Sequence, residues 1–194
     1  TLSFEVSIGR ERLIVNCGAH PGDPQWRRVQ RTTAAHSMLT VEDHNLAELL
    51  PRGGFGRRPD SVTCRRDEAD GSVWLDMSHD GYRHRYELVH HRRLFLDRSG
   101  EDLRGEERLL GGSGGLSFAL RFHLHPDVRA SLATGGQAAL LRLPKGGGWW
   151  IRVRGAALAL EPGIYLGRGG EPRRTQQLVL AGVTEPQETR VQWA

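Results

Sequence analysis

Leu116, Phe118, Leu120, Phe122 and Leu124 alternate without a slip with Ser117, Ala119, Arg121 and His123. A period of two sends successive side chains to opposite faces of an extended chain, so this segment buries its apolar half only as a strand with one face in a core. Residues 1–8 repeat the device, with Leu2, Phe4, Val6 and Ile8 on one face and Ser3, Glu5 and Ser7 on the other. Gly9-Arg10 reads as a tight turn into Leu13-Ile14-Val15, where three consecutive apolar residues predict a strand covered on both sides.

The rest of the chain follows the same scale. Residues 18–31 carry Gly18, Pro21, Gly22 and Pro24 and read as a loop anchored by Trp26; a short strand follows from Ser37 to Val41. Residues 42–61 form the longest candidate loop, and within it residues 43–50 offer the one short helical option. From Ser61 a meander begins: Val73, Leu75 and Met77 alternate, Asp80-Gly81 reads as a hairpin turn, and Tyr86, Leu88 and His90 lie on the next strand. Leu94-Phe95-Leu96 leads to a turn at Ser99-Gly100, and residues 111–115 read as a long hairpin loop. Further strands fit residues 138–143, 149–154, 156–166, 175–181 and 189–193. Many short strands with close turn signals predict an all-β fold, a large antiparallel two-sheet β-sandwich of the supersandwich kind with few or no helices. A length of 194 residues suits one such domain over residues 1–194.

Composition agrees. Glycine occurs 25 times, roughly twice its usual share of about 7%, as turns require. Mean hydropathy is −0.49 and the apolar runs are short, which excludes a membrane-spanning helix of about 20 residues. Thr1 opens directly into strand-like alternation without Met or a charged leader, so the chain is expected to begin inside a longer protein. The net charge of +4 points weakly to a polyanionic partner, but Lys145 is the only lysine among 27 basic residues and 23 acidic residues are mixed with them. No nucleic-acid-binding motif accompanies the charge, and nucleic acid is not expected as a partner. Cys17 and Cys64 lack zinc-finger or redox spacing and read as two separate thiols; a disulfide between them is an option in a periplasmic protein.

Nine histidines supply most of the candidate chemistry. His123 and His125 share a strand face with Arg121, where two imidazoles can ligate a metal, flank an anionic sugar, or simply hydrogen-bond to loops at the strand end. His79-Asp80-Gly81-Tyr82 gathers an imidazole, a carboxylate and a phenol, either as an acid–base set or as a hairpin turn with Tyr82 packed on the sheet. Arg83 to Arg93 combines four arginines with His84, His90 and His91 against Glu87, as an anion-binding strip or as a solvated outer face. His36, at the start of a strand, reads on its own as structural. There is no nucleophile elbow, P-loop or dinucleotide fingerprint.

The order of certain segments resembles a known family. Leu2-Ser3-Phe4-Glu5-Val6, Leu13-Ile14-Val15-Asn16-Cys17-Gly18, Thr33-Ala34-Ala35-His36-Ser37 with Leu39-Thr40-Val41, Tyr86 to Leu96, Glu101 to Gly105 and Phe122-His123-Leu124-His125-Pro126 resemble landmarks of the C-terminal β-sandwich of bacterial heparinase II/III-type polysaccharide lyases. The resemblance implies an N-terminal α/α toroid in the same polypeptide, an acidic polysaccharide as partner, and a periplasmic or cell-envelope location. It also implies β-elimination on uronic-acid-containing, glycosaminoglycan-like polymers. One group neutralises the sugar carboxylate, a base removes the C5 proton and a tyrosine protonates the leaving oxygen. Those groups belong to the helical domain, so no catalytic residue is expected in this chain, which would form one wall of the cleft and be inactive alone. Arg121, His123, His125, His79 and Tyr82 are its substrate-binding candidates. The alternative is a non-catalytic acidic-glycan-binding or structural sandwich. Members with structural zinc would place ligands at His36 and at Asn16, with a further histidine upstream; an amide in place of the family's carboxylate is a poorer ligand and weakens the case for zinc in the full-length protein.

Overall fold

The computed structural model describes residues 1–167 and 170–194, and fourteen strands run through them: β1 (Val6–Ile8), β2 (Glu11–Val15), β3 (Leu39–Val41), β4 (Val62–Ala69), β5 (Ser72–Tyr82), β6 (Leu88–Leu96), β7 (Leu103–Gly111), β8 (Ser117–Leu124), β9 (Arg129–Leu132), β10 (Ala138–Arg142), β11 (Gly148–Arg154), β12 (Ala157–Leu166), β13 (Pro172–Val183) and β14 (Glu188–Trp193). Among the described residues they form two antiparallel sheets. One runs β1-β2-β8-β13-β12 with β3 also paired to β8; the other runs β4-β5-β6-β7-β14-β11-β10-β9. This is the expected all-β two-sheet sandwich.

The alternation at residues 116–124 sets the core. Phe118, Leu120, Phe122 and Leu124 of β8 are all 3% exposed or less, and burying each such side chain contributes roughly 1.5–3 kcal/mol. They meet Leu88, Leu94, Leu109 and Val191 of the larger sheet within one cluster. Leu13, Ile14 and Val15 are buried in succession, as the uninterrupted apolar run predicts.

Several local expectations are corrected. Residues 18–31 are not all loop: Pro24–Val29 is a short helix, α1, whose first amides at Gln25 and Trp26 are capped by the Asp23 carboxylate, with Pro24 at its first turn. Residues 43–50 are turns and isolated bridges, without a helix. Asp80-Gly81 does not turn the chain. β5 runs through it with one extra residue against β6, because His79 faces His90 while Tyr82 faces Leu88. The reversal comes after it, in a helical turn at Arg83–Tyr86 that ends on Glu87 in the left-handed region. Asp80 is instead buried and accepts the Ser61 amide. The Asp-Gly pair that does make a hairpin is Asp70-Gly71, both at positive φ, between β4 and β5. Residues 111–115 link β7 to β8, which lie in different sheets, so this segment crosses the sandwich and closes no hairpin. Strand β9 has no counterpart in the sequence reading.

A charged cluster ties the two sheets together. His79 (β5), His90 and Arg92 (β6) and Glu107 (β7) are each 1% exposed or less. Glu107 takes Arg92 Nε at 2.8 Å and His90 Nε2 at 2.7 Å, and Trp193 Nε1 donates to it at 3.3 Å. Arg92 reaches across the interior, where Nη1 donates to the Leu2 carbonyl at 2.7 Å and to the Ser37 carbonyl at 2.9 Å. Its guanidinium lies 5.1 Å from the Phe4 ring, which stacks on Trp193 at 5.6 Å.

Candidate functional site

The outer face of the six-stranded sheet carries a cavity of about 400 Å³. Its floor is Arg121 and His123 of β8, Gln177 of β13 and Pro162 to Ile164 of β12; its roof is α1 with Gln30 and the turn Thr32 to Ala35. Backbone bonds close one end: Cys17 N–H donates to Ala35 O at 3.0 Å, Leu166 N–H to Cys17 O at 2.7 Å and Ala19 N–H to Leu166 O at 3.1 Å. Gly18 makes this stitch possible, since its φ is +85° and a Cβ there would lie 1.9 Å from Leu166 O.

At the base of the cavity Cys17 Sγ lies 3.4 Å from His123 Nδ1, and His123 Nε2 lies 2.8 Å from the Ala34 carbonyl. A carbonyl only accepts, so Nε2 carries the ring proton and Nδ1 accepts from the Cys17 thiol. Burial pushes the thiol up to about 12 and the imidazole down to about 4. The pair is therefore neutral at physiological pH and is not an activated thiolate–imidazolium couple. Arg121 supplies the charge: Nη1 donates to Thr40 Oγ1 at 2.9 Å, and Nη2 lies 3.7 Å from the exposed Asp43 carboxylate.

The candidates from sequence separate into distinct places. Arg121 and His123 share the cavity. His125 lies on the same face beyond it, with Nδ1 3.5 Å from Asp127 and its ring 5.1 Å from Tyr165; burial lowers its pKa. His79 and Tyr82 belong to the interior beside the other sheet. His79 is pushed down to about 2 by burial and then by His90, and the buried Tyr82 hydroxyl donates to Leu39 O at 2.8 Å. Of the Arg83–Arg93 strip, His90 and Arg92 point into the core, while Arg93 pairs with Asp76 at 2.6 Å and His84 with Asp60 at 3.0 Å.

Of the two residues of the zinc expectation, Asn16 is held through both ends of its amide and His36 through Nδ1 alone. Asn16 Oδ1 accepts the Ser37 amide at 3.0 Å and its Nδ2 donates to Glu5 at 3.2 Å; His36 Nδ1 donates to Thr32 O at 2.9 Å. Among the described residues no three His, Cys, Asp or Glu side chains converge as metal ligands. These residues do not fit a zinc site by themselves, because Asn16 is spent on fixing the backbone.

Gln30, Gln177 and Cys17 were not among the candidates. The glutamines carry no spacing signal, and Gln30 joins the cavity only because α1 folds over the sheet. The inward charges had a signal: Leu88, His90, Arg92 and Leu94 keep one period-two face.

Among the described residues no helix is long and apolar enough to cross a membrane. The two free cysteines, Cys17 buried and Cys64 exposed, are unbridged. Against solved structures, the fold matches a heparinase III (the BT4657 gene product) with a TM-score of 0.77 at 14% identity, over 98% of this chain and 29% of that one. It matches the heparan sulfate lyase HepC from Pedobacter heparinus with a TM-score of 0.75 at 15% identity, over the same shares. In sequence, the chain is 34% identical over 211 residues to FtsZ-localized protein C of Caulobacter vibrioides, covering 98% of this chain and 36% of that protein. The chain thus spans about a third of the length of these relatives. Residues 1–194 all match the family described as "Heparinase II/III-like, C-terminal", and the chain belongs to that family.

Proposed function

We propose that this domain is the C-terminal sandwich of a heparinase II/III-like polysaccharide lyase, contributing one wall of a cleft that holds an acidic, uronate-bearing glycan. The observation that carries the reading is Arg121, a guanidinium at an open cavity on an outer sheet face, with donors left over from Thr40. Arg presents planar paired donors that match a carboxylate. Among the described residues of the cavity, Arg121 is the one side chain assigned a part in this reading. His123 is neutral and spent on Ala34 and Cys17, and Tyr82 is committed to Leu39 inside the core. In this reading the base and the proton donor come from the helical domain that the family resemblance implies. The test is absorbance of the unsaturated uronate product from the full-length protein with heparan sulfate, hyaluronan and alginate. Turnover by the full-length protein but not by residues 1–194 supports the division of labour; turnover by residues 1–194 alone overturns it.

A second reading is favoured by one observation, the 34% identity over 98% of the chain to an FtsZ-localized protein, well above the 14–15% to the lyases. In that reading the domain serves at the division site without cleaving a polymer. A fluorescent fusion that gathers at midcell, from a protein that leaves every acidic glycan intact, supports it over the lyase.

A further inference from the structure

Strand β4 ends the eight-stranded sheet: among the described residues it pairs with β5 alone, and all eight of its residues, Val62 to Ala69, are exposed. The turn that follows it decides which backbone groups are free. Asp70 and Gly71 both lie at positive φ, 52° and 77°, in a two-residue hairpin turn that makes the flanking Ala69 and Ser72 a hydrogen-bonded pair. Bonded and non-bonded pairs alternate down an antiparallel ladder, so Asp67, Arg65 and Thr63 also bond to their partners Trp74, Asp76 and Ser78 on β5. The N–H and C=O groups of Val62, Cys64, Arg66 and Glu68 therefore face away from the sheet, as a row that another strand can bond.

The side chains say which strand. Charges on an exposed edge commonly repel an incoming strand, but the run Arg65-Arg66-Asp67-Glu68 changes sign at its middle, so an antiparallel copy of itself meets it with opposite charge. We propose that β4 pairs antiparallel with β4 of a second copy of this chain, about a two-fold axis at Arg66, joining two eight-stranded sheets edge to edge. In this register the free backbone groups of Arg66 bond those of the same residue in the second copy, and Cys64 bonds Glu68 on either side of the axis. Arg65 of each copy then stands opposite Asp67 of the other, at the non-hydrogen-bonded positions where Cα atoms are only about 4.5 Å apart. Sliding the copies by two residues in either direction sets Arg65 against Arg65 or Asp67 against Asp67 at those close positions, so the charges select one register. The facing Arg66 pair sits at the wider spacing of about 5.5 Å, and each keeps Glu68 of its own strand as counter-ion. Arg65 now pairs with Asp67 of its own strand at 2.9 Å, with side chains 78% and 52% exposed, so no buried contact has to break.

The test is sedimentation of the full-length protein as a function of concentration. A single strand pair buries less than the roughly 1,200 Å² of a standard interface, so a weak dimer is expected, forming at about 10–100 μM. Arg66→Pro removes the N–H on the axis without touching the bonds to β5, as proline on an edge strand can, and is expected to leave a monomer. Arg65→Asp sets like charges opposite each other twice and is expected to weaken the dimer by about tenfold or more. Arg65→Asp combined with Asp67→Arg puts opposite charges face to face again and is expected to restore it, a rescue that a folding defect would not give. Mixing the Arg65→Asp protein with the Asp67→Arg protein should yield mixed dimers in preference to either self-pair. A native protein that stays monomeric throughout, or a dimer indifferent to all these changes, overturns the proposal. Neither Arg65 nor Asp67 lines the cavity beside Arg121, so the outcome is independent of the glycan reading.

Discussion

Arg92 and Glu107 pair at the centre of the sandwich, Nε 2.8 Å from Oε1, with side chains 0% and 1% exposed. The Arg92 guanidinium holds the Glu107 carboxyl below its usual range although burial alone would raise it. Removing one partner leaves a buried charge without compensation, so Arg92→Met is expected to cost about 3–5 kcal/mol. Arg92→Met with Glu107→Leu should cost less than the sum of the two single changes, because both charges leave together. Urea unfolding of the three variants gives the coupling, and strictly additive losses would contradict it.

Three buried histidines make stability pH-dependent. His79, His90 and His123 all titrate below the ordinary value of 6.5 in the folded chain, through burial first. The unfolded chain then binds more protons than the folded one below pH 6.5, so stability present at neutral pH is lost as pH falls. Each group contributes up to roughly 1.4 kcal/mol per pH unit, and the loss from His123 runs down to its folded value of about 4. Urea midpoints should fall between pH 7 and pH 5, a window above most carboxylate titrations, and less steeply in His79→Gln. A flat native profile would count against neutral buried imidazoles.

Gly105 is the seat of Trp193. A Cβ at residue 105 would lie 2.0 Å from two ring carbons of Trp193, which also stacks on Phe4, meets Phe122 edge-on at 4.9 Å and donates to Glu107. Gly105→Ala must therefore expel the indole or shift β7 against β14, and overpacking of this kind costs about 1–3 kcal/mol. A lower unfolding midpoint with red-shifted tryptophan emission is expected. Unchanged emission would mean that the ring had not been displaced.

The two thiols should differ in reactivity. Cys17 is 6% exposed and its thiol is pushed up to about 12 by burial, while Cys64 lies on the fully exposed strand β4. The thiolate is the reactive form. A disulfide-exchange reagent at pH 8 should titrate one thiol quickly in the native protein and the second only in denaturant. Fast reaction of both would show the Cys17–His123 contact to be loose.

The sandwich was legible because period-two alternation is written into single strands such as β8, and a strand's face is a local property. What failed was non-local. Asp80-Gly81 carries a hairpin signal, but Leu46 and Pro59 close over Gly81 and Asp80 is spent on Ser61, so tertiary packing overrode the dipeptide. The Gly-rich run 111–115 has the composition of a hairpin loop, and composition does not say which sheet receives the next strand. For the site, one strand was enough to put Arg121 and His123 side by side. Gln30 and Gln177, separated by more than half the chain, come to line one cavity only through the tertiary fold.

Arg121 is expected to carry the salt-sensitive part of any acidic-glycan contact. It is anchored by Thr40, its side chain is 17% exposed, and among the described residues the one carboxylate within 4 Å of it is that of Asp43, 90% exposed and 3.7 Å away. A glycan carboxylate would have to displace that neighbour. Partly exposed ion pairs contribute about 0–1 kcal/mol, so Arg121→Ala should weaken alginate-oligomer binding by up to roughly fivefold at low salt, and by less as salt screens the charges. Asp43→Asn should do the opposite, strengthening binding, because it frees the guanidinium without touching its Thr40 anchor. Affinity measured for the native protein and both variants at low and physiological salt gives the order Asp43→Asn, native, Arg121→Ala. An identical affinity for all three would place acidic-glycan contact elsewhere on the domain.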